Sequence, residues 1–322
     1  MDIDSTTGRE GEAGAWLAAF LRDRGYQVTE QPVTEGRFNV YAHLGIAPRV
    51  VFSTHYDCVP PFFPSREERG LIFGRGSCDA KGIVAAQVAA AEALRTAGEQ
   101  RFALLFVAGE ERGSDGARVA NEQPPASIEH LINGEPTDNR LGVATRGLLR
   151  VRLHATGRAA HSSFPELGES AIDKLLDALM IIRGIELPDD PVLGRTHYTV
   201  GLIEGGVAPN VVSPGAAAEL LFRTVGDSEP LFEALHPVES IVRIERVFDI
   251  PAVHMLPLEG FETAVFPFAT DIPMLTRWGR PLLLGPGSIH VAHTDDEHLA
   301  IEELHHATNL YVELANRLLD HK

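Results

Sequence analysis

Five short stretches of the 322-residue chain hold side chains that could bind cations or move protons. They are His55 and Asp57 in STHYD, Asp79 in GRGSCDAKG, Glu110 and Glu111 in AGEER, Glu135 in NGEPT and His293 in AHTDD. A carboxylate has two oxygens and can bridge two metal ions. Asp79 lies between a glycine-rich turn and an alanine-rich run, and the glycines permit the crowded backbone path that such a bridge needs. His55-x-Asp57 puts two side chains on one side of an extended segment. A metal-bound imidazole commonly donates its other N–H to a carboxylate, which would be Asp57; a simple turn formed by Asp57 is the competing reading. Two adjacent carboxylates after an apolar strand need a compensating partner, or one of them rises in pKa. A metal on one and a water on the other would resolve the conflict, dividing ligand from general base as metal-assisted hydrolysis requires. An acidic helix start, favoured by the helix dipole, is the plainer account of Glu110 and Glu111. Glu135 and His293, each taken alone, say nothing about catalysis.

The elements that would position these residues give the stronger argument. Arg49 to Thr54 is a continuous apolar run ending at His55, and Phe102 to Ala108 runs into Glu110 and Glu111. His130 to Asn133 runs into Glu135, and Pro281 to Leu284 precedes His293. Continuous apolar strands belong to a sheet buried on both faces, which usually means parallel strands covered by helices. An alanine-rich helix over Lys81 to Ala97 and helices over Ala13 to Asp23 and Glu302 to Leu319 complete an α/β pattern. In such sheets ligands bind beyond the carboxyl ends of the strands, and four strands here deliver a His or a carboxylate to that edge. Between residues 147 and 250 the order becomes β-α-β-β-α-β, as in a small ferredoxin-like unit. The expected fold is therefore a three-layer αβα domain, residues 1–146 and 251–322, with residues 147–250 inserted as an α+β lid or dimerisation domain.

The 45 acidic and 28 basic residues leave a net charge of -17, which argues against nucleic acid and anionic membranes as partners. Two cysteines imply no disulfide framework. With no signal peptide and no apolar run long enough to span a bilayer, a soluble cytoplasmic protein is expected.

FSTHYDCVP, GRGSCDAKG, VAGEERGSDGA, INGEPT, GRAAHSSFPELGESAI, APNVVSP and GPGSIHVAHTDDEHL occur in an order and spacing that span nearly the whole chain. The chain thereby resembles the dizinc hydrolases that include acetylornithine deacetylase, succinyl-diaminopimelate desuccinylase, aminoacylase and carboxypeptidase G. The resemblance implies that His55 and Glu135 are terminal ligands, one on each of two divalent metals. It implies that Glu111 and His293 complete the two shells and that Asp79 bridges them, with a cis peptide bond after Asp79. It makes Glu110 the general base and Asp57 the partner of His55. His161, in AAHSS, would reach the active site of a partner subunit in a homodimer and stabilise an oxyanion, and Asn210 and Arg223 would hold a substrate carboxylate. Arg223 suits that role because a planar guanidinium binds a carboxylate through two bonds; a surface-strand arginine is the plainer reading. Zinc suits two imidazoles and three carboxylates, and cobalt or manganese would also fit.

FATDIPML and the ending GPGSIHVAHTDDEHL most resemble the acetylornithine deacetylase branch, implying metal-dependent hydrolysis of an N-acyl amino acid. Dipeptidase or carboxypeptidase activity is the alternative, because the same machinery cuts any well-placed amide. A non-catalytic binding homologue is a third reading, against which stands the presence of every ligand and the base. The first motif segment, Ser5 to Gly8, comes where similar proteins carry a preceding helix.

Overall fold

A computed structural model describes residues 1–320. In chain order the elements begin α1 (Gly11–Asp23), β1 (Gln27–Thr34), β2 (Arg37–His43), β3 (Val50–His55), β4 (Arg66–Glu68), β5 (Leu71–Phe73), α2 (Lys81–Thr96) and β6 (Phe102–Val107). A single 3-10 turn (Glu110–Arg112) leads to α3 (Asp115–Glu122), β7 (His130–Asn133), β8 (Leu141–Thr145) and β9 (Gly147–Thr156). Then follow α4 (Ala171–Gly184), the two-residue strands β10 (Asp189–Asp190) and β11 (Gly194–Arg195), β12 (His197–Gly205), β13 (Gly215–Thr224), α5 (Glu229–Ala234) and β14 (Arg243–Ile250). The chain closes through β15 (Val253–His254), β16 (Thr263–Phe266), β17 (Arg280–Leu283), β18 (His298–Ala300) and α6 (Ile301–Asp320).

Two compact units result, one of residues 1–143, 255–264 and 270–322, the other of residues 144–254 and 265–269. In the larger unit the sheet order is β1-β2-β6-β3-β7-β17-β8. β6, β3, β7 and β17 pair in parallel, while β1, β2 and β8 join antiparallel. The sheet is thus mixed, parallel only at its centre, where both faces are covered. Residues of β3 and β6 are buried along their whole length, which explains their unbroken apolar runs. Alternation then divides the layers. Val40, Ala42, Phe52, Leu104 and Phe106 face a core with Leu17 and Leu21 of α1, Ile83 and Leu94 of α2, and Tyr311 and Leu314 of α6. On the opposite face Tyr41 packs edge-on to the buried Trp278, 5.8 Å between ring centres. The Trp278 Nε1–H donates to the carbonyl of Ala120 on α3. This is the α/β, three-layer arrangement expected from the sequence.

The smaller unit contains a four-stranded antiparallel sheet, β12-β13-β9-β14. Leu149, Val151 and Leu153 of β9 alternate inward against Leu175, Ala178 and Ile182 of α4. Among the described residues no helix is long and apolar enough to cross a membrane.

Candidate metal centre

The four central parallel strands end at one edge, and the chain at or beyond each ending carries a candidate side chain there. His55 is the last residue of β3. Its buried ring places Nε2 2.9 Å from Asp79 Oδ1, while Nδ1 lies 3.1 Å from the Asp57 carbonyl and 3.4 Å from Asp57 Oδ1. The i, i+2 spacing therefore does bring Asp57 to the far side of the imidazole. The Asp57 carboxylate also accepts the Thr7 hydroxyl at 2.8 Å and the N–H groups of Glu110 at 3.1 Å and Glu111 at 3.4 Å. Burial opposes ionisation of Asp57, but the bonds from His55, Thr7 and Glu110 prevail and hold its pKa below the usual carboxylate range.

β6 passes into the acidic turn through Gly109, whose φ of 82° lies in the left-handed region that glycine adopts without penalty. Glu110 and Glu111 thus do open a helical turn, as the plainer reading held, and they also point into the site. After β7, Gly134 donates to the Ser53 carbonyl at 2.7 Å. A Cβ at this position would fall 2.4 Å from Ile83 of α2, so only glycine lets the chain pass. Glu135 follows, buried, with Oε1 lacking any hydrogen-bond partner among the described residues.

Asp79 is the meeting point. Its peptide bond to Ala80 is cis. Oδ1 faces His55, and Oδ2 lies 3.2 Å from His293 Nε2, which is itself 2.9 Å from Glu111 Oε1. Two groups of possible ligands share this carboxylate: His55, Asp79 and Glu135, and Asp79, Glu111 and His293. Within each group the nearest donor atoms lie within 4.8 Å of one another.

Electrostatics express the crowding. Burial, reinforced by Asp271, Glu111 and Asp79, pushes the Glu110 carboxyl well above its usual value. Burial likewise raises Glu135, with Glu110, Asp79 and Asp271 adding to it. Glu111 is raised mainly by burial, and the buried Asp271 is pushed up to about 6 by the same cause. The imidazoles are raised too, but by the carboxylates around them. Asp79 and Glu111 push His293 up to about 10; for His55, burial works against protonation, but its bonds to Asp57 and Asp79 raise it well above 6.5.

The other three residues singled out from the sequence belong to the smaller unit. The exposed His161 forms an isolated bridge with Val211, and the adjacent Ser162 N–H donates to the Asn210 carbonyl at 3.0 Å. The structure thereby brings His161 and Asn210 together across 49 residues of sequence. Ser163 N–H donates to His161 Nδ1 at 3.1 Å, so the neutral ring carries its proton on Nε2. Arg223 is elsewhere. It pairs with Leu148 near the far end of β13, whereas Gly215, opposite Thr156, begins the strand on the side of Asn210. Eight residues of strand span about 26 Å. The half-buried guanidinium donates to the Pro267 carbonyl at 3.2 Å, and burial lowers its pKa.

Three residues of this region carry no role in the sequence reading although their motifs were visible: Arg75 in GRGSCDAKG, Asp271 in FATDIPML and Glu297 in HTDDEHL. Only their burial, at 1%, 1% and 0% exposure, separates them from ordinary surface charges.

A family model described as peptidase family M20/M25/M40 matches residues 51–317. A peptidase M20 domain-containing protein of Schizosaccharomyces pombe is 36% identical, covering 97% of this chain and 81% of the relative. A probable carboxypeptidase of Aspergillus fumigatus is also 36% identical, covering 99% and 85%. Among solved structures, the aminopeptidase PepT of Bacillus cereus superposes with a TM-score of 0.82 at 19% identity, covering 99% of this chain and 96% of that one.

Proposed function

Because the chain belongs to peptidase family M20/M25/M40, we propose that it is a metal-dependent peptide hydrolase that opens the amide on the amino side of an amino acid with a free α-carboxylate. The observation that carries this reading is the pair of ligand groups sharing Asp79, with Glu110 beside them. The donor set suits divalent cations. Glu135 leaves a buried oxygen unpartnered among the described residues, and the raised Glu110, Glu111 and Glu135 need either protons or cations to sit so close together. His55, Asp79 and Glu135 would hold one ion, and Asp79, Glu111 and His293 the other. His55 and Glu135 thus share an ion instead of taking one each as the resemblance implied, because the ends of β3 and β7 bring them to the same side of Asp79. Two imidazoles and three carboxylates fit zinc, with cobalt or manganese as alternatives. Bound there, such ions would polarise the scissile carbonyl and lower the pKa of water.

The chain's own residues supply the rest. Glu110 takes the proton of the attacking water and returns it to the leaving amine. Its pKa, raised by burial and the neighbouring carboxylates, suits both halves of the transfer, because a more basic carboxylate takes the water proton more readily and holds it for return to the amine. Asp57 orients His55 through Nδ1 and holds the base through the Glu110 N–H. The Nε2–H of His161, fixed by the bond at Nδ1, is a donor for the developing oxyanion. Arg223 receives the substrate carboxylate, and Asn210 assists from the His161 turn.

A peptide's C-terminal residue and an N-acyl amino acid present the same reacting group. The name of the Aspergillus relative favours a peptide on the acyl side. The segments FATDIPML and GPGSIHVAHTDDEHL favour a simple acyl group, as in N-acetylornithine. A panel of dipeptides, longer peptides and N-acyl amino acids, each also offered as its C-terminal amide, tests the proposal with zinc or cobalt supplied. We expect hydrolysis of at least one free-carboxylate class and a loss of about tenfold to a hundredfold in kcat/KM on amidation, the range for an unpaired buried charge contact. Equal rates on amides would remove Arg223 from its role, and hydrolysis of no member would sink the proposal.

We further propose that the working form is a homodimer through the smaller unit. His161 and Asn210 lie beyond one end of β13 and Arg223 near the other, about 26 Å along the strand, too far apart to grip one small substrate from a single copy. A surface suited to pairing is also present. β12 is an edge strand with Leu202 and Ile203 exposed at 62% and 59%, and α4 presents Ile172, Leu176 and Met180 at four-residue spacing, rising to 63% exposure. Such exposed edges and apolar faces are hazards unless covered. Met180→Glu should turn a dimer of 35.0 kDa chains into folded monomers in sedimentation velocity. Its activity should fall by about 10²–10³, the worth of one oxyanion donor. A fully active monomer would contradict the proposal.

A further inference from the structure

Four residues after His293, the carboxylate of Glu297 is fully buried. Its Oε1 accepts three backbone N–H groups, from Gly76 at 3.0 Å, Cys78 at 3.1 Å and Asp79 at 3.0 Å. Its Oε2 accepts Arg75 Nη1 at 2.6 Å. The main chain joins in, since the Gly74 N–H donates to the Glu297 carbonyl at 3.1 Å. Arg75 is buried as well. It donates to the carbonyls of Thr294 and Pro61, both at 3.2 Å, and its guanidinium lies 5.0 Å from the centre of the Phe63 ring. The buried ion pair and the Glu297 carbonyl thus fasten the backbone N–H groups of Gly74, Gly76, Cys78 and Asp79 to the segment that carries His293.

A buried ion pair is weak evidence for stability, because apolar residues of the same volume often serve as well. Its particular contribution is directional. Three N–H groups converging on one oxygen fix the path of residues 76–79, and charge-assisted bonds are the short, strong ones. Neither Glu297 nor Arg75 belongs to either ligand group.

We propose that Glu297 is the positioning residue for Asp79, holding its carboxylate between His55 and His293 so that both ligand groups form together. The proposal rests on the two-ion reading above. Glu297 acts through Asp79 and touches neither substrate nor ion.

The test compares wild type, Glu297→Gln and Glu297→Asp, with Asp296→Asn as a control that removes an exposed charge from the same segment. Two readouts are taken on folded protein: amide hydrogen exchange across residues 74–80 with chelator present, and zinc affinity by competition with a chromophoric chelator. We expect faster exchange at Gly76, Cys78 and Asp79 in Glu297→Gln and zinc bound about 10- to 100-fold more weakly, the usual effect of removing a residue that orients a ligand. kcat should fall with KM unchanged, Glu297→Asp should recover part of each loss, and Asp296→Asn should match wild type. If Glu297→Gln does not fold, the same readouts on Glu297→Asp decide. Wild-type exchange and zinc affinity in the variant would overturn the proposal, as would a lowered Tm with both readouts unmoved. A wild type that binds no zinc would instead sink the two-ion reading, and the exchange arm would still decide whether Glu297 holds Asp79.

Discussion

Replacing Glu110 with Gln is expected to lower kcat by about 10²–10⁴, the worth of a positioned general base, while zinc content stays at the wild-type level. The amide matches the carboxylate in size but cannot accept the water proton. Its backbone N–H still donates to Asp57 Oδ1, the bond that fixes the turn at 3.1 Å. Neither ligand group contains Glu110, so both remain intact. The metal-free protein should lose no stability at neutral pH, because the wild-type carboxyl is already forced toward its neutral form by burial and by Asp271, Glu111 and Asp79. Glu111→Gln is the contrast: it removes a member of the second group and should lose metal and activity together. Metal analysis and steady-state kinetics on the two variants separate base from ligand. Undiminished turnover in Glu110→Gln would remove the base assignment, and activity lost along with metal would move Glu110 into the ligand set.

What the sequence revealed and what it hid follow from how each signal is carried. The strands β3 and β6 are buried along their whole length and β7 and β17 over their second halves, so each reads as an apolar run. Each runs on toward a candidate residue of the site, directly at His55 and through a connecting segment for the others. The smaller unit was legible from alternation, as in β9, whose buried residues alternate strictly with half-buried or exposed ones. The sheet β18-β5-β4 left no trace because each strand has three residues, too few for a period, and β4 is exposed throughout. Glu297 stayed hidden for a different reason. In DDE it is one of three consecutive acids, and two of them face solvent. What sets it apart is a ring of N–H groups more than 200 residues away in sequence, which no local pattern reports. The distance along β13 between Arg223 and the His161 turn was equally out of reach, because it depends on pairing register rather than on motif order.

Adding zinc to the metal-free protein at pH 7 should release about two protons or more per chain, because ligands must be deprotonated to bind. His293, pushed up to about 10, and His55, held well above 6.5, both start protonated, and Glu135 starts raised well above 4.5. Affinity should therefore climb with pH between 5 and 8, by about one decade per pH unit for each proton displaced. Stability of the metal-free form should run the other way. The two histidines have folded pKa values above their unfolded ones, so their contribution is complete below about 6.5 and is lost as pH rises through the folded values. Glu110, Glu111, Glu135 and Asp271 are also raised. Their contribution is complete below about 4 and is lost as pH rises, giving the same sign. Asp57 and Asp79 are lowered; what they contribute is present above about 3.9 and vanishes only in stronger acid, outside this window. With chelator, Tm should thus fall from pH 5 to pH 8, and the gap between metal-loaded and metal-free Tm should widen, since tighter binding adds stability by mass action. Calorimetric titrations in two buffers of different ionisation enthalpy count the protons, and paired melting curves measure the gap. Zinc binding without proton release, or a gap that does not change with pH, would mean that the ions do not replace the protons on these histidines and carboxylates.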